Sequence, residues 1–152
     1  MNSHEEARFR LDLAEGYLRE AEEEFKLERW WATVANAQLT IENAGKAVVA
    51  LFEPVEKLHD PSKQLAEILS REPIPDPIKK KIHTLIGFFP RHGHTEHIKA
   101  TYGEDKTFTP PWKLFAKPEA KTALSDARKG MRYAQSVFEH YAAPPKKARR
   151  KK

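Results

Sequence analysis

The chain contains no cysteine. Disulfide bridges, iron–sulfur clusters, thiolate zinc sites and a cysteine nucleophile are therefore excluded. Also missing are a Walker loop, G-x-G-x-x-G, H-E-x-x-H and G-x-S-x-G. The sequence thus carries no signature of phosphate-loop, dinucleotide, zinc-protease or serine-hydrolase chemistry. No apolar run approaches the roughly 20 residues that span a bilayer. The opening MNSHEEARFR is charged from the start, unlike a signal peptide. A cytoplasmic protein with no membrane partner is the expectation.

Acids are absent from the last ten residues, APPKKARRKK, which hold six Lys or Arg. Of the whole chain's 27 basic residues, 21 remain without them, against 22 acidic ones. The net charge of +5 therefore belongs to the tail, and the body is near neutral. The tail has too little apolar content to pack, so a disordered basic segment is expected over 143–152. Such a segment can add salt-sensitive affinity for RNA or DNA, or remain merely solvated. The other 142 residues fit one domain with a real core. The 32% of charged residues and the lack of cysteine make the composition thermophile-like.

What is present is helical periodicity. Ser3 and Glu6 have capping-box spacing. Ala7, Leu11, Ala14, Leu18, Ala21 and Phe25 follow at steps of four and three, one apolar helix face. A second helix over about 28–53 carries Trp30, Val34, Ala37, Ile41, Ala44 and Val48 at the same spacing and must stop near Pro54. Asp60-Pro61 and Asp76-Pro77 read as helix starts, with Asp as N-cap and Pro at the first helical position. The second of these helices runs to about 89, with Ile78, Ile82, Leu85 and Phe89 inward. From Pro90 to Lys117 the pattern lapses into a long connection with room for a short helix at 94–101, and long connections are more often functional than idle. A last helix over about 118–141 repeats Leu124, Ala127, Met131, Ala134 and Phe138. No segment alternates with period two, so the chain is expected to be an all-α bundle.

On the second helix, Gln38, Glu42 and Lys46 fall at steps of four beside the apolar stripe. Physics alone reads Glu42–Lys46 as an ordinary surface ion pair. The wider pattern says more. A long acidic first helix precedes A-x-x-A-Q-x-x-x-E-x-A-x-K-A-x-x-A-L-F, and His59-Asp60-Pro61-Ser62 and an apolar LAEIL follow. These segments resemble the HEPN family (higher eukaryotes and prokaryotes nucleotide-binding domain), in particular its small single-domain prokaryotic and archaeal members. The resemblance implies an up-and-down four-helix bundle with an additional short helix. It implies a homodimer whose cleft binds RNA or nucleotide, with Glu42, Lys46 and His59 among the substrate-binding residues. Many members of the family are metal-independent, toxin-type endoribonucleases. Others are non-catalytic partners of a minimal nucleotidyltransferase in toxin–antitoxin-like pairs.

The ribonuclease members carry an Arg and a His a few residues apart, with a polar residue after the Arg. Residues 90–97, PRHGHTEH, supply Arg91, His92 and His97, which the resemblance makes a catalytic pair and a substrate contact. The chemistry suits these types. Histidine transfers protons near neutral pH, with an unperturbed pKa of about 6.5. Arginine stays charged and forks onto phosphate oxygens. Active members usually carry the motif on or at the start of a helix, whereas Pro90 and Gly93 place this one at a helix end or in a loop. A structural loop, with Arg91 capping the preceding helix, is the alternative. His92, His94 and His97 could ligate a metal, but no distant acidic or Cys pattern completes a zinc set, so no metal or cofactor is expected. Trp30, Trp31 and Trp112 could stack on bases, although core or dimer contacts suit their spacing as well. His83 is expected to be partly buried.

Overall fold

A computed structural model describes residues 3–142, so the basic tail lies outside the described residues. Among the described residues there are seven helices and no strand. They are α1 (Ser3–Lys26), α2 (Trp30–Ala50), α3 (Ser62–Arg71), α4 (Asp76–His92), α5 (His94–Tyr102), α6 (Pro111–Leu114) and α7 (Lys117–Ala142). The long helices α1, α2, α4 and α7 form the expected bundle, and α3, α5 and α6 pack on it. The capping box rests on the Ser3 side chain, which is outside the described ones. Glu6 pairs instead with Arg10 at 3.0 Å.

Small side chains set the geometry of the centre. Ala7, Ala14 and Ala21 on α1 and Ala37, Ala44 and Ala47 on α2 are buried, which lets these two helices approach closely. Between them the chain turns in three residues, with Glu28 left-handed at φ 60°. The Glu28 and Arg29 amides reach back to the carbonyls of Phe25 and Glu24, both at 3.0 Å, closing α1 in a Schellman arrangement. Helix α2 packs against every other helix, and 16 of its 21 residues are buried. It ends before Pro54 as expected, with Leu51–Glu53 turning away.

Several expectations shift. Asp60 is not the N-cap of α3, nor Asp76 of α4: those positions fall to Pro61 and Pro75, and Asp60 Oδ1 accepts from the Ser62 amide at 2.9 Å in a tight turn. The long connection is mostly ordered. Helix α4 runs through Pro90 to His92, and α5 begins after Gly93. Pro90 is tolerated there because it falls in the last turn, where it removes one helical amide rather than breaking a continuing ladder. The helix α6 was not anticipated. His83, expected to be partly buried, is exposed on α4.

Two glycines bring the 59–61 turn onto the bundle. A Cβ on Gly45 would lie 2.8 Å from Pro61 Cγ and 3.1 Å from the Phe89 ring. One on Gly93 would lie 2.7 Å from the Phe89 carbonyl and 3.3 Å from Asp60 Oδ2. Their bare backbones let the turn, α2 and the α4–α5 corner meet.

Candidate functional site

At that meeting point lies a polar cluster built outward from α2. The line Gln38, Glu42, Lys46 is buried, not superficial: the Glu42 and Lys46 side chains are 6% and 9% exposed. The surface-pair reading is therefore corrected. The helix face that sequence periodicity leaves to solvent is covered by the 59–61 turn and by α5. Lys46 Nζ donates to Glu42 Oε2 at 2.8 Å, and Gln38 Nε2 donates to Glu42 Oε1 at 3.2 Å. His59 does not stay local to its turn; its Nδ1 lies 3.3 Å from Glu42 Oε1.

Gln38 fixes the next layer. Its NH2 also donates to the His92 carbonyl at 3.3 Å, so both of its partners on that side are acceptors. Its Oε1 therefore faces His97 Nδ1, 3.1 Å away, and must accept from it. In the neutral ring this leaves the lone pair on Nε2. The His97 ring stacks on His59 with centroids 4.0 Å apart, and His94 lies 5.8 Å from His59. Burial lowers the His97 pKa below its ordinary value, His59, His94 and Lys46 push the same way, and Glu42 opposes them.

Arg91 and His92 belong to a second cluster. His92 is buried, with Nδ1 2.8 Å from Glu96 Oε1 and Nε2 2.9 Å from Asp126 Oδ2. Burial is the largest single influence and lowers its pKa. Glu96 and Asp126 together outweigh it, so the net shift is upward. Asp126 also accepts from Arg91 Nη2, whose side chain is 58% exposed. Burial raises the Asp126 pKa, but Arg91 and His92 more than offset this and hold it below the ordinary carboxylate value.

The structure thus brings Glu42, Lys46, His59 and His97 into one cluster around Gln38, and sets Arg91 and His92 on Asp126. Both His92 ring nitrogens are engaged, which makes it a clamp across the α4–α5 corner rather than an open contact. The motif straddles two helices: Arg91 is in the last turn of α4, and the His97 amide closes the first turn of α5 onto the Gly93 carbonyl at 3.1 Å. Asp126 was missed because one Asp on the long α7 carries no local signal. Gln38 was visible as part of the polar line, but its partners lie far along the chain.

The family model for the HEPN domain matches residues 7–139, nearly the whole described chain. The chain belongs to the HEPN domain family. Among solved structures, this HEPN protein is similar to TT1696 from Thermus thermophilus. The TM-score is 0.61 at 20% identity, over 90% of this chain and 99% of that one. At that identity the likeness concerns the fold. A search of curated proteins finds no match for this HEPN chain.

Next to the cluster, α5 and the turn after it line a groove of about 470 Å³ that includes His94, Ile98, Lys99, Tyr102 and Lys106. Large apolar side chains gather along the same stretch: Tyr102 is 71%, Phe108 92% and Trp112 62% exposed. Trp112 meets Trp31 edge to face, 6.2 Å between centroids, and neither is among the buried core residues. No helix among the described residues is long and apolar enough to cross a membrane.

Proposed function

We propose that this HEPN protein binds RNA and cleaves it without a metal, with His97 as the proton-transfer group and Arg91 as the phosphate-binding cation. The observation that carries the reading is Gln38's hold on His97. By accepting from Nδ1 it presents Nε2 as a fixed, unprotonated base on a partly exposed ring. Nε2 takes the proton of a ribose 2′-hydroxyl, whose oxygen attacks the adjacent phosphorus. The bond from phosphorus to the 5′-oxygen breaks, and that oxygen leaves with a proton from an acid. The products are a 2′,3′-cyclic phosphate and a 5′-hydroxyl.

One chain supplies one such histidine, and Arg91 makes no described contact with it. Two copies meeting along the exposed Tyr102–Trp112 stretch would supply base and acid together, His97 from each copy, with Arg91 on the phosphate. The groove beside α5 offers Lys106 for the backbone and Tyr102 for stacking on a base, while Glu104 and Asp105 also line it and Lys99 pairs with Glu104 at 3.6 Å. Glu42, Lys46 and His59 act from beneath, holding His97 and lending charge.

The test is RNA cleavage in EDTA by the wild type beside His97→Ala, with end-group analysis. Cyclic-phosphate ends from the wild type and at least about a hundredfold loss in the variant are expected. No cleavage across several RNAs would overturn the catalytic reading and leave binding, or partnership with a nucleotidyltransferase.

A further inference from the structure

Three side chains in the cluster converge in a way that proton transfer does not require. We propose that Glu42, His59 and His97 form a binding site for a divalent transition-metal ion of the zinc class. A ligand atom from each lies within 4.8 Å of the other two. Glu42 Oε1 and His59 Nδ1 are 3.3 Å apart. Two donors at about 2.0–2.1 Å from a tetrahedral ion are separated by about 3.3–3.4 Å. That edge of the coordination sphere is already in place; the His97 ring, stacked on His59 with centroids 4.0 Å apart, has to swing out of the stack to bring its lone pair onto the ion. Two imidazoles and one carboxylate are a donor set that suits Zn²⁺, with a fourth position left to water.

The surroundings act as an outer shell for the ion. Gln38 takes the Nδ1 hydrogen of His97, which leaves Nε2 as its ligating nitrogen. Lys46 holds Oε2 of Glu42 at 2.8 Å, and Oε1, which accepts from Gln38 Nε2 at 3.2 Å, ligates through its remaining lone pair. The Lys46 ammonium also offsets the carboxylate's charge, so the site is tuned for moderate rather than structural affinity. The distant ligands that the His92, His94, His97 cluster lacks in sequence are Glu42 and His59, carried in by the helix and turn it packs on. His92 takes no part, because its ring is held by Glu96 and Asp126.

Metal binding stands apart from the ribonuclease reading, but the two meet at one atom. An ion on His97 Nε2 occupies the lone pair that cleavage uses, so zinc would act as an inhibitor. That corollary rests on the catalytic reading; the binding itself does not.

The experiment is Zn²⁺ binding by equilibrium dialysis with the EDTA-treated full chain, with the visible d–d absorption of added Co²⁺ as a second readout. No RNA is present. One ion per chain and a tetrahedral Co²⁺ spectrum are expected. His59→Ala, at a half-exposed position, should lose at least about tenfold in affinity, and Gln38→Ala about tenfold through loss of orientation. His94→Ala should stay within a few-fold of the wild type. Absence of binding, or binding that His59→Ala leaves unchanged while circular dichroism shows a native fold, would overturn the site.

Discussion

Replacing Lys46 with Met tests the buried line on α2 directly. The variant keeps the length of the side chain and removes the ammonium that sits 2.8 Å from Glu42 Oε2. With Glu42 only 6% exposed, the carboxylate cannot recover its hydration. Removing one partner of a buried pair costs about 3–5 kcal/mol. Gln38 and His59 remain as contacts to Glu42, at 3.2 and 3.3 Å, longer than strong charge-assisted hydrogen bonds. They compensate in part, so a loss of about 3 kcal/mol is expected, at the low end of that range. Urea unfolding followed by far-UV circular dichroism would measure it. In a domain of this size the melting temperature should fall by roughly 6–12 °C. Adding Glu42→Gln should recover most of the loss, because the pair is then replaced rather than broken. A single-variant loss below about 1 kcal/mol would refute the burial argument. So would a double variant as unstable as the sum of the two singles.

Other outcomes follow from the same geometry. Gly16→Ala, where a Cβ would meet nothing within 4 Å, should stabilise α1 by about 0.5–1 kcal/mol. Gly45→Ala has the same helical gain but drives a methyl to 2.8 Å from the rigid Pro61 ring, and should cost about 1–3 kcal/mol net in the same denaturation assay. His92 titrates higher in the folded chain, so its contribution is fully present below about pH 6.5 and is lost as pH rises through its folded value. The stability gap between wild type and His92→Gln should therefore be larger near about pH 5.5 than near about pH 9, and a gap independent of pH would refute the clamp. Asp126 behaves oppositely: its contribution is present above about pH 3.9 and is lost as pH falls through its lowered value, so Asp126→Asn should narrow the gap to wild type only in acid.

Helices α1, α2 and α7 were legible because their apolar residues recur at helical spacing and do become the core: Ala7, Leu11, Val34, Ile41, Ala127 and Ala134 are all buried. Helices α5 and α6 were harder to read because Pro90, Gly93, Gly103, Pro110 and Pro111 interrupt the period, and α5 buries only Ala100 fully. In the site, the Gln38–Glu42–Lys46 line could be seen on one helix, but its burial could not. That depends on the turn at His59 folding back and on α5 closing over it, both of which are tertiary events. Arg91 and His97 are close in sequence, yet Gly93 sends them to different partners, which no spacing rule could foresee.

The central position of α2 has a consequence for how this chain tolerates change. A helix on the rim of a bundle has a solvent face where substitutions pass unnoticed, and half its positions are usually free to vary. Helix α2 has almost no such face, because the flank beside its apolar stripe holds the cluster and 16 of its 21 residues are buried. A saturating scan read out as folded protein should find α2 intolerant nearly all the way round, on the cluster side as well as along the apolar stripe. The outward positions of α1 should accept most residues.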